Sequence, residues 1–272
     1  MQGKIQSVQH RLQAKQEQWN KTWQRRRRNP DGVSVPIFLV GCGRSGTSMF
    51  IWQLEKSWQI ELYNEDHPAA FDVYRLRGHD VVESLVNKST APFTLFKPIL
   101  DTVQTMSLLN HFPGSKAIFA FRHYTDVINS SLKKFGTYNR INHVRGWMKE
   151  DFAEFAVCPP PEATKAIIRE LWAEDLSPEE GGALYWLFYN RLYYDLGLHD
   201  DPRTILIRYE TLVTQPREQF EKVIAFLEAE FEEKMVEGVH ARSINKNDPP
   251  PLRPAIMSAC DALYDELTLN AA

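Results

Sequence analysis

The stretch from Ser34 to Ser57 constrains this chain more than any other. An apolar run of strand length, Val35-Pro36-Ile37-Phe38-Leu39-Val40, meets three glycines within six residues in Gly41-Cys42-Gly43-Arg44-Ser45-Gly46. Thr47-Ser48 follows, and Met49, Phe50, Ile51, Trp52 and Leu54 then recur in a helical pattern. Strand, glycine-rich loop and helix is the economical reading. Glycines let successive backbone N–H groups turn inward on an anion, and the new helix adds unpaired N–H groups and the positive end of its dipole. A glycine-rich turn with no ligand is the plainer alternative, so other segments must decide.

The spacing from Gly41 to Gly46 is that of a Walker A loop, yet Thr47 stands where nucleotide kinases and ATPases place Lys. Instead, Arg44 lies inside the loop, ahead of Ser45-Gly46-Thr47-Ser48. Arg-Ser-Gly-Thr-Ser after a buried strand resembles the 5′-phosphosulfate loop of sulfotransferases, enzymes that use 3′-phosphoadenosine 5′-phosphosulfate (PAPS). The resemblance implies that Gly43, Arg44, Ser45, Gly46, Thr47 and Ser48 cradle the 5′ end of that cofactor.

Three later segments extend the resemblance. The turn Phe112-Pro113-Gly114-Ser115 leads into Lys116–Phe121, whose continuous apolar character suits a central parallel strand, and Arg122 closes it. His123 or Thr125 can cap the helix that follows, and Ser130 lies in it, eight residues after Arg122. This resembles the 3′-phosphate site of sulfotransferases, a permanent cation with a hydroxyl; taken alone, an Arg122–Asp126 pair beside a solvent-facing serine explains the same residues. Arg208-Tyr209-Glu210-Thr211-Leu212 resembles the family segment whose tyrosine lies by the adenine, so Tyr209 is the candidate for the base pocket, against a core tyrosine at a strand end. Ser243-Ile244-Asn245-Lys246 resembles a Ser-x-x-Lys segment that closes over the cofactor, against a simple turn before Pro249-Pro250-Pro251. The similarity runs from about Ile37 to Leu227 and is closer to tyrosylprotein and bacterial sulfotransferases than to the cytosolic steroid and phenol enzymes.

The catalytic groups come from the same likeness. Gln59–Tyr63 reads as a strand that ends in Asn64-Glu65-Asp66-His67-Pro68, and parallel sheets place ligands at such ends. Glu65 stands 21 residues after Arg44, as does the glutamate proposed as base in the tyrosylprotein enzymes; His67 and Asp66 are the alternatives. Lys97-Pro98 resembles the element whose lysine aids the transferring group. The implied reaction is in-line transfer of the sulfuryl group to a hydroxyl or amine of a small-molecule acceptor, giving adenosine 3′,5′-bisphosphate (PAP). Arg44 and Lys97 would meet the developing charge and Glu65 the acceptor proton. No carboxylate pair suits Mg²⁺, so no metal is expected.

Length and charge bound the rest. At 272 residues, 43% hydrophobic, the chain supports one large core, read as a three-layer P-loop-like α/β domain over residues 30–272 with a central parallel sheet flanked by helices. Residues 1–29 form a basic, glutamine-rich helical arm of charge +7, which leaves −10 for the remainder. A solvated helix leading into the domain is the bland reading, and a nucleic-acid or membrane-surface arm the sharper one. The acidic remainder disfavours polyanionic acceptors, and no nucleic-acid partner is expected. No apolar run long enough to span a membrane occurs, and Cys42, Cys158 and Cys260 suggest neither disulfides nor a zinc site, which points to the cytoplasm. Rival readings are a P-loop nucleotide kinase or NTPase, and a non-catalytic protein that binds through its basic arm.

Elsewhere, Phe71–Ala91 shows no readable pattern, Asp101–His111 reads as a helix, and Gly136–Pro161 reads as an irregular flap over the substrate side. Ser177-Pro178-Glu179-Glu180 starts a long aromatic helix whose Tyr185, Trp186, Tyr189, Tyr193 and Tyr194 read as core. Helices are expected over about 215–227 and 252–267.

Overall fold

A computed structural model describes residues 2–149 and 161–271. Helix α1 (Gln2–Arg28) precedes β1 (Val35–Gly41), and α2 (Thr47–Glu55) follows it. Next come β2 (Ile60–Tyr63), a short hairpin of β3 (Phe71–Asp72) and β4 (Arg75–Leu76), α3 (His79–Lys88) and β5 (Phe93–Phe96). A 3₁₀ turn (Ile99–Gln104) leads to α4 (Thr105–His111), β6 (Lys116–Phe121), α5 (Tyr124–Phe135) and α6 (Asn139–Met148). After α7 (Glu162–Leu171) and α8 (Pro178–Asp195), the chain continues through β7 (Thr204–Arg208), α9 (Tyr209–Thr214), α10 (Pro216–Leu227) and α11 (Pro254–Asn270).

Strands β2, β5, β1, β6 and β7 lie side by side in that order, and every pairing is parallel. Apolar side chains on both faces of β1 explain its central place. Ile37 and Leu39 join one buried cluster with Phe50, Leu54, Phe220 and Ile224 of α2 and α10, whereas Phe38 and Val40 join the other with Trp186 and Leu187 of α8. The result is the expected three-layer α/β domain. Ser177 and Glu180 close a capping box at the start of α8, and α5, α6, α7 and α11 all pack against that helix. Its aromatic residues Tyr185, Trp186, Tyr189 and Tyr193 are buried core, as read from sequence.

The topology also fixes where a ligand can sit. The chain leaves β1 towards β2 and leaves β6 towards β7, so the switch point lies between the carboxyl ends of β1 and β6. Gly41 makes that approach possible: its φ is 121°, and a Cβ there would fall 2.3 Å from the Ala120 carbonyl oxygen.

Four segments depart from the sequence reading. Gly136–Pro161 is not a continuous irregular flap, because α6 buries Ile141, Val144 and Trp147 against α8; interleaved Asn, His and Arg residues diluted that face in sequence. Residues 150–160, with Cys158, lie outside the described part of the chain. Phe71–Ala91 holds the β3–β4 hairpin and α3, which buries only Val82 and Val86. The helix expected over Asp101–His111 is divided at Gln104–Thr105 into a 3₁₀ turn and α4.

The fourth is the basic arm. Residues 15–20 of α1 are exposed, but the last turn is not a solvated lead-in. Arg25 is buried, and its guanidinium donates to the carbonyls of Trp58 at 2.7 Å and Ile60 at 2.8 Å, the entry to β2. Arg28 pairs with Glu230 at 2.5 Å. Among the described residues, no helix is long and apolar enough to cross a membrane.

Candidate active site

The loop after β1 turns on two left-handed residues. Gly46 (φ 79°) is the N-cap of α2, and a Cβ on it would lie 2.0 Å from the Tyr209 ring, so only glycine fits. Arg44 holds φ 73° with a full side chain, a strain of about 1 kcal/mol that persists where the surroundings over-determine it. Ser45 Oγ is buried with no partner among the described residues. The loop forms one wall of a cleft of about 820 Å³ that also receives Glu65, Lys97, Arg122, Ser130, Arg140 and Tyr185.

The end of β6 forms the opposite wall. The Arg122 carbonyl accepts from Trp186 Nε1 at 2.8 Å, which fixes the residue on α8. Its guanidinium meets Asp126 at 2.9 Å, donates to the Ser243 carbonyl and lies 4.5 Å from the centre of the Tyr209 ring, while Nε is buried without a partner. The Arg122–Asp126 pair that explained these residues blandly is therefore present, and it sits inside the cleft wall. Ser130 accepts from Arg44 Nε at 3.0 Å, so the loop arginine reaches across to the α5 side. Burial, followed by Arg140 and Arg122, pushes the Arg44 guanidinium below its ordinary pKa.

Tyr209 and Glu210 tie β7 to this wall. Glu210 accepts from the His123 backbone N–H at 2.9 Å, and His123 caps α5. Tyr209 Oη and Ser243 Oγ are 2.5 Å apart, and the Asn245 N–H donates to Asp126 at 3.2 Å, so the segment from Ser243 straps the start of α5. Lys246 is exposed and does not line the cleft.

A second cluster forms where three adjacent strands end. Lys97 follows β5, Asn64 and Glu65 follow β2, and Ser48 sits in the first turn of α2 after β1. Lys97 is almost wholly buried, and its ammonium reaches Glu65 at 2.9 Å, Ser48 at 3.1 Å and Asn64 at 3.3 Å. The two alternative bases stand apart from it. Asp66 is exposed and accepts from Asn64 Nδ2 at 2.8 Å. His67 is exposed, its Nδ1 accepting from the Ala69 N–H at 3.3 Å and its ring standing edge-on to Tyr63, outside the cleft lining. Cys42 is a buried loop filler, and burial pushes its thiol up to about 12.

Sequence reasoning missed Arg140, His143 and Tyr185, which line the same cleft. The Arg140 guanidinium is buried between the rings of Tyr185, 3.9 Å from the centroid, and Phe135, 4.6 Å away. Burial, then the Arg140 charge, lowers His143 to about 4. The residues at 140, 143 and 147 recur at helical spacing, a signal obscured by the assumption of a flap.

A parallel α/β sheet with a glycine loop at its switch point, and with a buried strand-end lysine and several arginines around one cleft, defines a P-loop-like α/β protein. The chain belongs to the sulfotransferase domain family, which it matches over residues 35–248. This sets aside the kinase, ATPase and non-catalytic readings.

A solved structure agrees on the fold. The sulfotransferase domain from the curacin biosynthetic pathway aligns over 85% of this chain and 98% of its own at 16% identity, with a TM-score of 0.52. A sulfotransferase from Alicyclobacillus acidocaldarius (16% identity, 86% and 92% coverage, TM-score 0.47) and mouse sulfotransferase SULT7A1 complexed with PAP (17%, 87% and 85%, 0.44) align more loosely. No curated protein sequence matches the chain.

Proposed function

We propose that this protein transfers the sulfuryl group of PAPS to a hydroxyl or amine of a small-molecule acceptor, with PAP as the other product. The observation that carries this reading is the pair of separate polar clusters in one cleft: Arg122, Ser130 and Arg44 on one wall, and Lys97, Glu65 and Ser48 at the neighbouring strand ends. The residues present suit the donor. Buried Ser45 Oγ and Arg122 Nε have no partners among the described residues, and of the two guanidiniums on the donor wall only Arg122 meets a carboxylate at salt-bridge distance, Asp126, while Arg44 meets the Ser130 hydroxyl. Buried polar atoms of this kind call for a ligand that accepts hydrogen bonds.

When bound, PAPS supplies a sulfuryl group on a phosphate leaving group. Arg122 and Ser130 would hold the 3′-phosphate, and Tyr209, whose ring supports both Gly46 and Arg122, would border the base pocket. The loop N–H groups and the hydroxyls of Thr47 and Ser48 would bind the 5′ end. Lys97 Nζ, already bonded to Ser48, would meet the negative charge that grows during transfer, a contribution that is electrostatic and pre-oriented. Glu65, about a third exposed through its side chain, borders the open part of the cleft and would accept the acceptor proton. Its bond to Lys97 orients the carboxylate, a role open to neither Asp66 nor His67 where they stand.

Calorimetric titration with PAP, then acceptor screening by mass for a sulfuryl increment, tests the reading. Glu65→Gln is expected to leave PAP affinity unchanged and to cut turnover by roughly 10²–10⁴-fold, the range of general-base catalysis. Undiminished turnover would remove Glu65 from the role.

A further inference from the structure

Arg140 is left over once the donor has been placed. Arg122 has Asp126, Arg44 has Ser130 and Lys97 has Glu65, but among the described residues no carboxylate or hydrogen-bond acceptor meets the Arg140 guanidinium. The residue is only 6% exposed, and its Nε is buried without a partner. Arginine does not shed its proton in proteins, so the group is a desolvated cation held by two aromatic faces. Ring faces attract the charge but do not take the place of a hydrogen-bond acceptor for its N–H groups, none of which has one among the described residues. One terminal nitrogen lies 3.2 Å from where a Cβ on Gly43 would stand, beside Ile99, and the residue lines the cleft.

We propose that the acceptor is a hydroxy compound bearing its own carboxylate, and that Arg140 receives that carboxylate. The inference rests on the sulfuryl-transfer reading and deepens it by naming the acceptor class. A planar guanidinium matches a carboxylate in two parallel hydrogen bonds. The Arg140 guanidinium by itself balances one negative charge, that of a carboxylate; exposed Lys134 also lines the cleft. The surrounding wall is apolar and aromatic, with Tyr74, Trp52, Leu100 and Phe135, so the body of the acceptor is a hydrocarbon or ring. Binding the carboxylate at Arg140 would direct the far end of the molecule, with its hydroxyl, along the cleft to Glu65. Arg140 is thus a specificity residue that touches the acceptor and takes no part in the donor site.

The test uses matched probes with PAPS saturating: 3-(4-hydroxyphenyl)propionate against 4-ethylphenol, and 6-hydroxyhexanoate against hexan-1-ol. The wild-type protein is expected to prefer the acid of at least one pair by about 30- to 100-fold in kcat/KM, the scale of a charge-assisted hydrogen-bond pair. Arg140→Gln should erase that preference through KM, leave the neutral partner within about threefold, and leave PAP affinity measured by calorimetry unchanged; Arg140→Lys should restore part of the preference. Equal use of acid and neutral partners by the wild-type protein overturns the proposal whether or not R140Q folds. A parallel fall in PAP affinity in R140Q overturns it too, by assigning the residue to the donor. Failure of the wild-type protein to bind PAP at all, seen before any acceptor is added, removes the sulfuryl-transfer reading and this proposal with it.

Discussion

Replacing Arg122 by alanine probes the donor wall most directly, but the substitution does two things at once. It removes the proposed 3′-phosphate ligand, and it strands Asp126, only 3% exposed, without its 2.9 Å partner. Leaving a buried charge uncompensated costs about 3–5 kcal/mol, enough to unfold a marginal domain and mimic a binding defect. The informative variant is therefore Arg122→Ala with Asp126→Asn, which keeps the shape of the α5 N-terminus and an acceptor for the Asn245 N–H. In that background no buried charge is stranded, and the other losses, the donation to the Ser243 carbonyl and the contact with the Tyr209 ring, act on PAP and AMP alike. Two charge-assisted hydrogen bonds at about 1.5–3 kcal/mol each amount to roughly 10²–10⁴-fold in affinity for PAP. AMP lacks the 3′-phosphate and should bind wild type and double variant alike, so the measured quantity is the ratio of PAP to AMP affinity by calorimetry. A double variant that still prefers PAP over AMP by the wild-type factor would refute the placement of the 3′-phosphate at Arg122.

Further outcomes follow from other contacts. Gly46→Ala puts a methyl 2.0 Å from the Tyr209 ring at φ 79°; the ring must leave Ser243 and Arg122, with an expected loss of about 2–4 kcal/mol in urea unfolding and at least tenfold in PAP affinity. His143, lowered to about 4 by burial, titrates near 6.5 when unfolded, so the unfolded chain binds more protons between those values and stability falls as pH drops through that window. The wild-type protein should lose about 3 kcal/mol more than His143→Gln between pH 7 and pH 4, read from urea midpoints. Arg25→Ala should cost about 2–3 kcal/mol by releasing the Trp58 and Ile60 carbonyls, whereas truncation before residue 25 should leave thermal stability within a degree or two. Equal loss in both would show that the stabilising contacts of α1 lie nearer its start.

The sequence alone determined the strand, the glycine loop and the strand that Arg122 closes, because each is a local pattern. Gly41 and Gly46 mark backbone conformations that other residues resist, and the apolar strands β1 and β6 announce burial on both faces without knowledge of their neighbours. The Glu65–Lys97 contact was foreshadowed only through likeness to relatives; its cause is the strand order, which brings the ends of β2, β5 and β1 together although 32 residues separate the pair. Tertiary structure alone decided three things. It placed the His67 imidazole outside the cleft lining, with its Nδ1 bonded to the Ala69 N–H. It docked the end of the basic arm, because Arg25 is matched by carbonyls distant in sequence. It also brought Arg140 into the cleft, through packing of α6 on α8 that a face interrupted by polar residues does not display. Local patterns fix the backbone, whereas pairing among side chains far apart in sequence depends on how the layers come to rest.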